Sequence, residues 1–362
     1  MLWIIISSMH KNNIFVKYPV KTIVFFILFV FIVLDISVKF LSNNHPVGIY
    51  SPYYHHDLKK NARMKDKWGD RSYYINTNSL GFRDKGKGHI DVKNSSNKYR
   101  FLFIGDSFVE GIGLPYEKTF IGLLDNKLDN SKFEILNAGV RGYSPKLCYL
   151  KVKYLIEKTN LQFNELYMFI DISDIKDEVF YKDFVSPAPL TKGIDPFLQK
   201  TSFVYGFLRV HLLNEHNFIR FFKKNKKGPA DNNYWDKWAN DWGKWTYDKT
   251  TFDKWGTEGL NLGEENMNKL YNLCKKNDIK INIVVYPWPE QILNDSLKSI
   301  QVTFWETFSL KRNIDFISFF PAFIREANHR ATIDKYFIKG DTHWNERGSK
   351  LIADTLLAKI SG

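Results

Sequence analysis

Cysteine is scarce: the 362 residues hold two, Cys148 and Cys274. That is too few for a disulfide framework, and neither lies in a C-x-x-C or metal-spaced cluster. Both fall in helix-like patterns and are expected as small buried hydrophobes. The acidic residues Asp174, Asp177 and Glu178 have no His or Cys at ligand spacing, so neither a metal nor another cofactor is expected. With 12 Pro and 21 Gly against 44% hydrophobic and 16% aromatic residues, the chain is neither collagen-like nor disordered. Gly105–Gly113 lacks the Gly-Lys-Ser/Thr of a phosphate loop, and no Gly-x-Ser-x-Gly marks an α/β-hydrolase elbow.

An even spread of charge is also missing. The formal net charge is +13, but residues 1–98 hold 15 basic and 6 acidic residues, leaving 37 and 33 beyond them. The later part is too balanced for a footprint on nucleic acid, which is set aside as a partner. The local excess belongs with a membrane. Ile23–Leu34 are twelve uninterrupted apolar residues, preceded by Lys11, Lys17 and Lys21. This pattern predicts a transmembrane anchor over residues 22–41, a cytoplasmic N-terminus over 1–21, and the remainder across the membrane, periplasmic or at the cell surface. A cleaved signal peptide is the competing reading, although no small-x-small site follows Leu34.

Residues 42–98 are polar and basic and read as a juxtamembrane lead-in. From Tyr99 onward, short apolar runs alternate with helical patterns: Tyr99–Ile104, Phe133–Leu136, Leu166–Ile172, Lys280–Tyr286 and Ile314–Phe320. Such alternation predicts a parallel sheet covered on both faces, within one domain over 99–362. It is interrupted by a long insertion, at about residues 176–262. There Trp235, Trp238, Trp242 and Trp245 share one face if the segment is helical. They form either a sugar-stacking platform, with Trp238 and Trp245 the candidate substrate contacts, or the packing of the insertion onto the core.

Gly105-Asp106-Ser107 ends the first strand, which places Ser107 at the C-terminal edge of the sheet, where open α/β folds bind ligands. A serine is a nucleophile only if a base takes its proton. Asp341-Thr342-His343-Trp344-Asn345, before the final helix, offers His343 as base and Asp341 to orient it. Glycines in the loop Asn137–Ser144 let backbone N–H groups approach a developing oxyanion.

With these blocks the chain resembles the SGNH, or GDSL-type, serine hydrolases and acyltransferases over roughly residues 99–362. The resemblance implies a flavodoxin-like three-layer α/β/α fold with a five-stranded parallel sheet. It also implies Ser107 as nucleophile, His343 as base, and oxyanion donors from the Ser107 and Gly142 N–H groups. Two positions depart from the family pattern: Ser173, whose hydroxyl makes it the candidate third oxyanion donor, stands where an asparagine commonly fills that place, and Asp-x-His replaces Asp-x-x-His. The latter spacing with its trailing Trp is similar to forms associated with O-acetylation of bacterial exopolysaccharides such as alginate. The expectation is a membrane-anchored serine esterase or O-acyltransferase acting on a cell-envelope glycan, with an acyl-donor membrane partner possible. The competing expectation is a catalytically silent glycan-binding or assembly subunit.

Overall fold

A computed structural model describes residues 18–41, 48–86, 90–187, 242–324 and 328–360, without the side chains of 38–41. Helix α1 (Pro19–Leu41) belongs to the first of two units of the chain. At about 1.5 Å per residue its 23 residues extend about 34 Å, against about 30 Å of bilayer hydrocarbon. Its window Pro19–Ser37 has a mean hydropathy of 2.5, long and apolar enough to cross a membrane.

The second unit begins before Tyr99, which corrects the boundary expected from the sequence. Residues 48–86 are not a lead-in. They form a hairpin, β1 (Gly48–Ser51) with β2 (His55–Leu58), and a three-stranded antiparallel sheet, β3 (Arg63–Trp68), β4 (Arg71–Thr77) and β5 (Arg83–Asp84). Leu58, Ile75 and Phe82 are buried in the same core as the strands that follow. A buried ion pair between Asp57 and Lys151, with Tyr54 Oη donating to Asp57 at 2.9 Å, ties the hairpin down.

Five strands build the main sheet: β6 (Tyr99–Ile104), β7 (Phe133–Asn137), β8 (Glu165–Ile170), β9 (Lys280–Val285) and β10 (Asp315–Ser318). All neighbours run parallel in the order β7-β6-β8-β9-β10. This is the flavodoxin-like order, with the first strand beside the third and a switch point between their C-terminal ends. The runs are near-continuously apolar because both faces are covered: every residue of β8 is buried. Helix α2 (Ser107–Glu110) follows β6. Helix α3 (Phe120–Lys127) packs against the final α8 (Glu346–Ile360), while α4 (Pro145–Thr159), α5 (Asp174–Tyr181) and α6 (Thr257–Lys276) pack on one another. Helix α7 (Ile300–Leu310) lies on β9 and β10.

Most of the expected insertion, including Trp235 and Trp238, lies outside the described residues. Trp245 is described, and it corrects the substrate-contact expectation. Its ring is fully buried, its Nε1 donates to Ile172 O at 2.7 Å, and Phe252 and Trp255 lie 6.4 Å away. A ring whose face and polar edge are both satisfied by the core offers nothing to a sugar. Cys148 and Cys274 are buried free thiols, as their setting in helix patterns suggests.

Candidate active site

At the C-terminal end of β6 the chain turns sharply into α2. Gly105 permits the turn, since a Cβ there would lie 2.8 Å from Val109 and 2.9 Å from Phe169. Asp106 caps α2 through Phe108 N at 3.0 Å, which leaves Ser107 as the first helical residue with its N–H free of any intrahelical partner. Arg83, fully buried on β5, donates to the carbonyls of Glu110 and Gly111 at 2.6 Å and holds the far end of the same short helix.

The other half of the site comes from a hairpin ahead of α8. Phe337 bridges to Trp344, and Ile338 N donates to His343 O at 2.9 Å. Asn345 caps α8 by accepting from Arg347 N and Gly348 N, and its amide donates back to Lys335 O and Phe337 O. Trp344 anchors the turn among Phe108, Tyr286 and Phe120 at 4.8–5.9 Å. Thus every member of the Asp-Thr-His-Trp-Asn block except Thr342 has a visible local task.

The two halves meet in one hydrogen-bonded line. Ser107 Oγ lies 2.8 Å from His343 Nε2, and His343 Nδ1 lies 2.5 Å from Asp341 Oδ1, which also accepts from His343 N at 2.9 Å. The carboxylate at Nδ1 sets the tautomer: Nδ1 carries the proton and the bare Nε2 faces the serine hydroxyl. Burial pushes the Asp341 carboxyl up. The charge of His343 and hydrogen bonds from His343 and Trp68 outweigh it and hold the group below the ordinary carboxylate range.

Trp68, at the end of β3, supplies one of those bonds, its Nε1 donating to Asp341 Oδ2 at 2.7 Å while its ring meets the edge of His343 at 5.2 Å. The sequence reading missed it. The Gly69-Asp70 turn between alternating residues signals a hairpin there, but nothing local in it points to Asp341.

Across from Ser107 runs the loop after β7. Asn137 shapes it, accepting from Gly139 N and donating to Val109 O. Ala138 N donates to Phe103 O, Val140 N to Gly105 O, Arg141 N to Glu110 Oε2 and Tyr143 N to Val140 O. Of the backbone N–H groups from 138 to 143, only that of Gly142 has no acceptor within the protein among the described residues. Gly142 sits at φ 76°, a conformation that leaves glycine the natural occupant. Arg141 fixes the loop from the other side, its guanidinium bonded to the buried Glu110 and, at 2.8 Å, to Asp66 of β3.

Ser173 departs from expectation. Its hydroxyl and its backbone N–H both donate to Asp171 Oδ1 at 2.7 Å, so its hydrogen is engaged and unavailable to an oxyanion. Asp171 is one of three buried carboxyls, with Asp106 and Asp174, whose oxygens lie within 4.8 Å of one another. Asp171 accepts from Ser173, from Asp174 N and from Trp288 Nε1, and Asp106 from Phe108 N and Tyr286 Oη. Burial, then the charge of Asp171, pushes Asp106 and Asp174 well above the usual carboxylate range. Asp174 Oδ2 accepts from Asp171 N while its Oδ1 has no donor, and the cluster is a proton-sharing nest under Ser107.

No protein-family model and no curated protein matches the chain. Its structural neighbours include esterases, a lipase/acylhydrolase from Enterococcus faecalis and a member of the lipolytic protein G-D-S-L family. The acetyl xylan esterase AlAXEase is 14% identical, with 72% of this chain and 99% of that one covered and a TM-score of 0.42. The psychrotrophic esterase EstA from Pseudoalteromonas sp. is 11% identical over 73% and 97%, with a TM-score of 0.40. A lipolytic G-D-S-L family protein from Veillonella parvula is 15% identical over 72% and 97%, with a TM-score of 0.38. At such identities and TM-scores the likeness carries no argument, and the chemistry follows from the side chains above.

Proposed function

We propose that this chain is a serine esterase or O-acyltransferase. The observation that carries the reading is the Asp341–His343–Ser107 line; the N–H groups of Ser107 and Gly142, which have no acceptor among the described residues, are the candidate oxyanion donors. In the first half-reaction Ser107 Oγ attacks the ester carbonyl as its proton passes to His343 Nε2. The tetrahedral oxyanion is met by the two N–H groups, and the leaving alkoxide takes the proton from His343. The second half-reaction runs the same steps with water or a sugar hydroxyl as the attacking group, and His343 again as base. The charge formed on the imidazole faces Asp341, which His343 and, after it, Trp68 hold ionised.

The protein acts, in this reading, beyond a membrane on esters of a cell-envelope polysaccharide. Support comes from α1 and from Lys11, Lys17 and Lys21 ahead of it, which favour a cytoplasmic N-terminus. The Asp-x-His-Trp-Asn block adds the resemblance to exopolysaccharide O-acetylation. A catalytically silent glycan-binding or assembly subunit is the second reading, favoured by one observation, the engagement of Ser173 with Asp171. Full-length protein in detergent, treated with a fluorophosphonate and compared with Ser107→Ala, decides between them. Ser107-dependent labelling supports the enzyme, and an unlabelled wild type points to the silent subunit.

A further inference from the structure

Two adjacent histidines of β2, His55 and His56, have no part in the chemistry above, yet they reach it. His56 Nε2 lies 2.8 Å from Arg141 O, and His56 Nδ1 lies 2.8 Å from His55 Nδ1. A carbonyl oxygen only accepts, so His56 carries its proton on Nε2 and donates it to Arg141 O. Burial, and after it the nearby charges of Lys151 and Arg141, lowers His56 to about 4, which keeps the ring neutral. The bare Nδ1 of His56 then accepts from His55 Nδ1–H. The backbone that carries the ring is held in place: Tyr143 Oη donates to His56 O at 2.7 Å, and the next residue, Asp57, is paired with buried Lys151.

The carbonyl that His56 engages belongs to the same planar peptide as the Gly142 N–H. In a trans peptide the two point in opposite directions, so a donor on the oxygen fixes the plane in which the N–H is presented. Drawing charge toward the oxygen also leaves the N–H more positive and a stronger donor. We infer that His56 is a positioning residue for the oxyanion-binding peptide Arg141–Gly142, acting through its Nε2–H bond to Arg141 O. This rests on the reading of Gly142 N–H as an oxyanion donor. It gives the β1–β2 hairpin a role in turnover.

The test compares wild type, His56→Phe, His56→Gln and Ser107→Ala as full-length chains in detergent. Steady-state hydrolysis of p-nitrophenyl acetate and the rate of Ser107 labelling by a fluorophosphonate are both measured. Phe keeps the ring volume and loses the donor, whereas the Gln side-chain amide reaches Arg141 O as Nε2 does. His56→Phe should lower kcat about tenfold with KM within about twofold, less than the 10²–10³ of deleting an oxyanion donor outright. Labelling should slow in parallel, and His56→Gln should stay within about threefold of wild type. If His56→Phe does not fold, His56→Asn, too short for Arg141 O, takes its place with the same expectation. A Phe or Asn variant at wild-type kcat, or a Gln variant as slow as Phe, overturns the inference while Ser107-dependent labelling leaves the parent reading standing. A wild type unlabelled at Ser107 overturns both.

Discussion

Ser107, His343 and Asp341 are joined through shared hydrogens, so their removals should not multiply. Ser107→Ala and His343→Ala should each abolish most ester turnover, by up to about a millionfold if the unit behaves as other serine triads do, and the double variant should lose scarcely more. Losses that multiply in the kinetics of the three proteins would show that the two residues act in separate steps. Trp68→Phe removes one donor from Asp341 and leaves the carboxylate in place. It should cost about tenfold in kcat, well short of the ~10⁴ expected when the carboxylate itself is neutralised as in Asp341→Asn. The carboxyl nest carries a prediction of opposite character. Asp174 is raised by burial and by Asp171, Asp106 and Asp177, so the folded protein keeps a proton that the unfolded chain releases near pH 4. The stability it contributes is complete below that pH and is lost as pH rises through the folded value. Asp174→Asn, neutral at every pH, should therefore raise Tm more at about pH 8 than at about pH 5. Equal shifts at both pH values in thermal melts would rule the shared proton out. Asp341, held low, behaves the other way: its contribution is present above about pH 4 and fades as acid protonates it.

At the scale of elements, what could be read in advance was what is local. The five strands lie within a residue or two of the apolar runs that announce them, because a strand buried on both faces has no polar side to disguise it. Gly105-Asp106-Ser107 and Asp341-Thr342-His343 were legible for the same reason: a cap, a tight turn and a two-residue spacing are settled within a few residues. Ser173 was placed correctly in the chain and misjudged in its partner, since nothing in the order of residues says that its hydroxyl turns back to Asp171. The tryptophan spacing was equally mute on whether Trp245 faces solvent or core. Its burial predicts that Trp245→Ala costs about 3–5 kcal/mol in denaturant unfolding, with activity per folded molecule nearly kept. A loss of activity at unchanged stability would restore the substrate-contact role. Asn345→Ala strips the cap from α8 and both ties to the His343 turn; a cap alone is worth about 1 kcal/mol.

The molecule as a whole is organised around contacts that no local pattern announces. The resemblance covers the chain from about Tyr99, yet Trp68, Asp66, Arg83 and His56 all reach the site from before that point. Removing residues 1–45 should leave a folded, active protein, whereas removing 1–98 should yield an insoluble or inactive one. Comparing the two truncations for soluble yield and for fluorophosphonate labelling checks this, and an active 99–362 fragment would refute it. The distances along the chain have a further meaning. Ser107 and His343 are separated by 236 positions, and Trp68 and Asp341 by 273. During synthesis the serine leaves the ribosome long before its base exists, and the tryptophan waits longer still for its carboxylate. A nascent or prematurely ended chain can thus carry the serine without the power to use it. In the proposed reaction ester cleavage waits until synthesis has passed His343, so reactivity reports that Ser107 and its distant base have met.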